Sequence, residues 1–378
     1  MKVLIVTSNY LSGNGGGVYC SRANINALAT IYEDVTVMYP ISKSQPGDIF
    51  IKPSAKLIAV ENEKSRALKF LDYCVGKIHR FREVFVEELK KSKYDMIVFD
   101  RSNVSLGLID AAREHGVAIV TIHHNYEYEY SLDNSRGILR PFNLFWTKKY
   151  ERECVAKSDL NLVLTEQDRK SLSEAYGATN METIGCFEYL PSVSKTNLPN
   201  VEENTFVITG KLDEIQSHLS IMDWVRDYYK VLTEIFPDAK IVVAGRSPSD
   251  ELIKVLADRG IMIIPSPESM EPILSAAKYY ICPTSMGSGL KLRVMDGLKN
   301  GLPVICHKVS SRGYESFQAN GSLFVYETPS DFKSELIRLK NSSSVKKNII
   351  NSYNQIFHFD SGVERMRVIM SKHIDFNK

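Results

Sequence analysis

Short apolar runs, each closed by a polar or glycine-containing break, recur along this chain with stretches of helical spacing between them. In the first half the runs are residues 2–6, 34–39, 96–99 and 118–122, and the helical stretches are 18–31, 62–93 and 105–115. In the second half the runs are 206–209, 240–244, 262–264, 279–282 and 304–307, with helices read at 220–235, 250–259 and 270–277. Strand–helix alternation of this kind implies parallel sheets covered by helices on both faces. Ligands of such sheets bind at the carboxyl ends of the strands. The pattern occurs twice, and 378 residues suit about two domains. The expected division is 1–186 and 187–350, with a join rich in polar residues near 186–204.

Composition narrows the class. A net charge of +2 gives no sign of nucleic-acid binding. No segment has the length and apolarity of a membrane span. The apolar run at 3–6 is too short for a signal peptide and leads into glycines, not a cleavage site. Cysteines 20, 74, 154, 186, 282 and 306 show no paired or metal-like spacing, so reduced thiols in a cytoplasmic protein are expected.

The segment 286–303 reads M-G-S-G-L-K-L-R-V-M-D-G-L-K-N-G-L-P. It follows a buried run and opens a helix with Leu292, Met295 and Leu298 on one face, stopped by Asn300-Gly301. Glycine in the turn allows a ligand close to the backbone. The free amides of the helix start form an anion site. Lys291, read as a first-turn residue, reaches the same anion, and Asp296 can accept hydrogen bonds from hydroxyls. A diphosphate over the helix start with a ribose beside Asp296 suits this arrangement.

These residues resemble the donor-site motif of GT-B glycosyltransferases of the family-4 type, in the subgroup G-S-G-x-[KR]-x-[KR]-x-x-E-A. The commoner form carries two glutamates eight positions apart; here those positions hold Ser288 and Asp296. The resemblance implies two doubly wound Rossmann-like domains facing a cleft, with a C-terminal helix within 351–378 packing back on the first domain. It implies a retaining hexosyl- or N-acetylhexosaminyl-transferase using a nucleoside-diphosphate sugar. The acceptor would be a glycan, glycolipid or glycoprotein in bacterial-type cell-surface assembly. Candidate donor-binding residues are Gly16, Gly17, Gly210, Gly287, Ser288, Gly289, Leu290, Arg293 and Asp296, with Arg246, after the run 240–244, either a further one or a solvated surface charge.

The loop 12–17, S-G-N-G-G-G, is not G-x-G-x-x-G, which makes a hydride-transfer cofactor the weaker reading. Three glycines in a row offer a mobile loop with exposed amides, and the resemblance puts it along the cleft. His123-His124-Asn125-Tyr126-Glu127 follows a strand. The family form H-N-x-E selects His124, which the resemblance sets against the reacting sugar. Imidazole is the natural donor or acceptor near neutral pH. Glu127 and Glu129 read as acceptor contacts or as surface or structural groups. Lys211 matches the basic residue the family places after its strand. The second basic residue is missing from 216–219, and Lys291 or Arg293 could supply its charge. Cations and helix amides would stabilise a departing diphosphate. No Asp-x-Asp occurs, which argues against a metal-clamped donor and for a metal-independent enzyme without cofactor.

Two other classes stay open: a GT-B sugar-nucleotide epimerase, and a non-catalytic GT-B partner or chaperone. The basic, aromatic-bearing segment 62–82 reads either as an ordinary half-buried helix or as a weak peripheral contact with the cytoplasmic membrane face.

Overall fold

The computed structural model describes residues 1–13, 15–41, 47–61, 81–105, 107–135, 137–190, 204–287, 289–342 and 345–374. Asn14, Ser288, Cys74, the join 191–203 and most of the basic segment (62–80) lie outside these. The chain forms two compact units. Unit 1 is Met1–Ser192 with Phe357–Lys378, and unit 2 is Val193–Ile356. No helix among the described residues is long and apolar enough to cross a membrane.

Unit 1 is built on a seven-stranded parallel sheet. Its strands are β1 (Lys2–Thr7), β2 (Asp34–Ile41), β3 (Lys56–Glu61), β4 (Met96–Asp100), β5 (Ala118–His123), β6 (Leu160–Val163) and β7 (Met181–Thr183), in spatial order β3-β2-β1-β4-β5-β6-β7. The order reverses between β1 and β4. Every residue of β4 is buried, as expected where helices cover both faces. The core joins Leu4, Val6, Ile97, Phe99 and Ile119 of the sheet to Phe85, Leu89, Ile109 and Cys154 of the helices. The helix Phe359–His373 belongs to this unit and packs on the helix Gly16–Ile31, burying Phe359, Val363, Met366 and Met370.

Unit 2 repeats the plan with six parallel strands. They are β8 (Thr205–Lys211), β9 (Lys240–Arg246), β10 (Met262–Pro265), β11 (Tyr279–Cys282), β12 (Val304–His307) and β13 (Leu323–Tyr326), in order β10-β9-β8-β11-β12-β13. The reversal falls between β8 and β11. Phe206, Ile208, Val243, Ile281 and Ile305 meet Ile221, Trp224, Leu252 and Leu336 in its core.

The fold class expected from sequence is present: two parallel-sheet α/β domains. Several elements differ in detail. The helix read at 220–235 is two helices, Ile215–Asp227 and Tyr229–Ile235, broken at Tyr228 (φ −120°, ψ −24°). The helix read at 105–115 shrinks to Ile109–Glu114, after a 3₁₀ turn Ser102–Val104. Cys20 and Cys186, unrelated by spacing, bring their sulfurs to 3.6 Å as buried free thiols.

Candidate functional site

In unit 1 the reversal point places Thr7 beside Asp100 as register partners at the carboxyl ends of β1 and β4. The Asp100 carboxylate is fully buried. It accepts from Thr7 Oγ1 (2.8 Å), Asn24 Nδ2 (3.2 Å) and Ser21 Oγ, and lies 2.8 Å from His124 Nε2. Burial pushes its pKa up. The His124 charge and the hydrogen bonds from His124, Ser21 and Thr7 outweigh this and hold it below the usual range. The Asp100 carboxylate facing Nε2 keeps a proton on that nitrogen in either charge state of the ring. His124 Nδ1 is buried and has no hydrogen-bond partner. A side chain on Gly17 would begin 3.9 Å from it, so glycine keeps the space before this nitrogen clear.

The glycine loop is held more firmly than its composition suggests. Arg22, buried on the helix Gly16–Ile31, donates to the carbonyls of Leu11, Gly13, Asp48 and Ile49 at 2.5–3.2 Å. Asn9 Nδ2 donates to the Gly17 carbonyl (3.1 Å) and Ser21 Oγ (2.7 Å). Gly16 is the first residue of that helix and is exposed.

Arg101 follows Asp100 with φ 84° and ψ 137°, a conformation L residues rarely adopt. Its guanidinium donates to Glu127 Oε1 at 2.8 Å. Of the readings open for Glu127, the structural one fits its place: it is 4% exposed and forms this ion pair. The Glu127 amide in turn donates to Glu151 (2.7 Å), which also accepts from Tyr128 N–H (3.3 Å) and Tyr176 Oη (2.9 Å). Burial raises the Glu151 carboxyl to about 8. His123 points elsewhere. It is buried against Asn161 Oδ1 (2.9 Å), and desolvation lowers it to about 4, so it is neutral at physiological pH.

In unit 2 the site residues gather at the ends of β8 and β9 and around the turn after β11. Gly210 and Gly245 are register partners, and a Cβ on Gly245 would sit 1.9 Å from the Gly210 carbonyl oxygen. The Arg293 guanidinium lies over Gly210, where an added Cβ would be 2.7 Å from Cζ. Arg293 donates to Ser217 Oγ (2.6 Å) and is 3.6 Å from Glu214. Lys211 ends β8 with an exposed side chain 4.0 Å from Asp213; Arg246, its register partner, is also exposed.

The turn contains Gly287 (φ 85°) and Gly289 (φ 71°), in the region that favours glycine. The Gln216 amide fills the space a side chain on Gly287 would need, at 2.9 Å. Ser288 lies outside the described residues, and Leu290 is half-buried. Lys291, expected in the first helical turn, is instead the extended N-cap of the helix Leu292–Lys299 (φ −93°, ψ 96°). Its carbonyl accepts from Tyr314 Oη at 2.9 Å. The amides of Leu292 and Arg293 precede the helix's first intrahelical bond, from Val294 N–H to the Lys291 carbonyl (3.0 Å).

Asp296 is exposed on this helix near Tyr280, whose hydroxyl bonds Thr209 Oγ1 at 2.6 Å. Desolvation raises the Asp296 carboxyl to about 6, against Arg293 and Lys299. Exposure and desolvation pull apart here. A carboxylate reachable by water keeps part of its hydration, so the upward direction is what the geometry supports.

Gly17 and His124 therefore come together in unit 1, and Gly210, Lys211, Arg246, Gly287, Gly289, Lys291, Arg293 and Asp296 cluster in unit 2. Asp100 and Arg101 are not among the individual site residues expected from sequence, although the segment 100–103 stands there as a polar break at a strand end. The signal that existed for Asp100 was an acid closing a fully apolar run.

Residues 203–342 match a family model described as glycosyl transferases, group 1. A Klebsiella pneumoniae protein, described as an uncharacterized 44.6 kDa protein in the cps region, is 21% identical over 304 residues, 76% of each chain. Sucrose-phosphate synthase from Thermosynechococcus elongatus superposes with a TM-score of 0.71 at 14% identity, covering 98% of this chain and 99% of that one. The pneumococcal O-GlcNAc transferase GtfA, solved with UDP and GlcNAc, gives 0.68 at 11% identity and 99% coverage of both. These likenesses establish the GT-B fold.

Proposed function

We propose that this protein is a retaining, metal-independent glycosyltransferase that moves a sugar from a nucleoside diphosphate to an acceptor hydroxyl. The observation that carries the reading is Arg293 lying over Gly210, beside Lys211 and at the start of the helix Leu292–Lys299. A cation, open helix amides and a glycine floor together suit a diphosphate. The group 1 match over the same unit supports it.

In this reading the bond between the sugar's anomeric carbon and the β-phosphate oxygen breaks. The acceptor oxygen bonds that carbon on the same face, and its proton passes to the departing phosphate. Lys211, Lys291 and Arg293 stabilise the negative charge as it accumulates, Asp296 takes the ribose hydroxyls, and His124 orients the sugar. A UDP-sugar is the first donor to try, because GtfA was solved with UDP and GlcNAc. The cps-region relative favours a cell-surface glycan or glycoconjugate as acceptor.

The test is thermal denaturation with UDP, GDP, ADP, CMP or dTDP, each with and without EDTA. A ligand that binds the native state raises the midpoint. One nucleotide should do so, with no effect of EDTA. Lys291→Ala should keep the unliganded midpoint and lose at least about 100-fold in transfer from that donor. A flat response to all five nucleotides, or full activity in well-folded Lys291→Ala, would sink the reading.

A further inference from the structure

The helix Arg140–Lys157 and the turn before it carry large apolar side chains on the side away from the core. Ile138 is 95% exposed, Phe145 62%, Leu139 46% and Phe142 44%. The opposite side of the helix buries Trp146, Thr147, Glu151, Cys154 and Val155. A helix that only covers a sheet keeps its apolar residues on one stripe and presents polar ones to water. Here both sides are apolar, and the outer one is confined to the first two turns and the preceding loop.

The exposed charges between residues 137 and 152 have one sign, and the acid that follows them, Glu153, is half-buried. Arg140, Lys148 and Arg152 are exposed, and Lys149 is half-buried. From residue 137 to 150 there is no Asp or Glu, and Glu151 is turned into the protein. At 100° per residue, Phe142, Phe145, Lys148, Lys149 and Arg152 share one outward arc. Aromatic and aliphatic side chains rimmed by lysine and arginine match the interfacial region of an anionic bilayer, with the rings among the acyl-chain ends and the cations at the phosphates. A glycan offers no apolar depth for Ile138.

We infer that the 138–152 face of unit 1 docks on an anionic membrane surface. The placement differs from the one the sequence suggested. Of that segment (62–82) only its end is described, and there Phe81 is fully buried and Arg82 donates to the Gly107 carbonyl. The inference stands independently of the sugar-transfer reading, because its readout is lipid binding.

The experiment is co-sedimentation of the full chain with phosphatidylcholine vesicles, with and without phosphatidylglycerol, at low and high salt. The wild type should pellet with the phosphatidylglycerol vesicles and be released by salt. Phe142→Ser/Phe145→Ser should cut the bound-to-free ratio by about tenfold or more while the chain stays folded, with a thermal midpoint lowered only by the edge contact of Phe145 with Trp146. Lys148→Ala/Lys149→Ala/Arg152→Ala should weaken binding and flatten its salt dependence. Three results overturn the inference: wild type that stays in solution with anionic vesicles; a double-serine variant that pellets like wild type; or a wild-type dimer that the double-serine change makes monomeric, which would mean a second copy covers the patch.

Discussion

Asp100 acts on the unit 1 site through its neighbour. Its carboxylate fixes the proton of His124 on Nε2 and so turns Nδ1 toward Gly17. Asparagine in its place keeps the shape but offers an amide whose orientation adapts to the surrounding hydroxyls, and the imidazole loses its fixed tautomer. Under the proposed function, Asp100→Asn should lower kcat by roughly 10- to 100-fold with a smaller change in KM. Equal kcat for a folded variant would remove Asp100 from the mechanism. Glu151 makes a different claim. Its carboxyl is raised from 4.5 to about 8 by burial, so the folded state holds a proton the unfolded chain gives up. Its contribution is complete below about pH 4.5 and is lost as pH rises through about 8. Glu151→Gln should flatten that part of the stability profile and overtake the wild type in midpoint above pH 8. Parallel profiles would show Glu151 ionised throughout.

Among the elements, legibility followed burial and length. β8, β9, β11 and β12 could be read because each is an apolar run ended by a break. Four of the described strands were not read: β3 is mostly exposed, Asn161 interrupts β6, β7 is too short to show a period, and β13 was passed over although its run LFVY is as buried as β12. Lys291 was misplaced by one position: helical spacing begins at Leu292, and spacing alone does not separate an extended N-cap from a first turn. Arg101's left-handed backbone and its ion pair to Glu127 arise from two loops meeting, which no local pattern encodes. Gly210 and Gly287 were legible as positions that need glycine, yet each admits a side chain from another element: the Arg293 guanidinium at Gly210 and the Gln216 amide at Gly287. Gly362 shows the same logic in unit 1. A Cβ there would lie 2.1 Å from Phe187 Cγ, so the helix Phe359–His373 meets the segment after β7 through a missing side chain. Gly362→Ala should cost about 1–3 kcal/mol by overpacking, read as a lower denaturation midpoint. An unchanged midpoint would mean the helix shifts freely.

At the scale of the whole molecule, unit 1 draws on both ends of the described chain. Phe359, Val363, Met366 and Met370 fill the face of Gly16–Ile31, and Arg365 Nε donates to the Ile184 carbonyl at 2.5 Å. Truncation after Ile356 exposes that face. It should open unit 1 to limited proteolysis while unit 2 stays resistant, because unit 2 loses none of its own core. Equal resistance of both units would show that the helix is dispensable.

That discontinuity sets an order of events during synthesis. Chains emerge from the ribosome N-terminus first, and domains fold as units. The seven strands of unit 1 are made before any strand of unit 2, yet unit 1 still lacks the helix that covers Gly16–Ile31. Unit 2, continuous in sequence, can finish first although it is translated second. Until translation reaches residue 373, a nascent unit 1 carries an uncovered apolar face, which is the kind of surface that trigger-type chaperones hold.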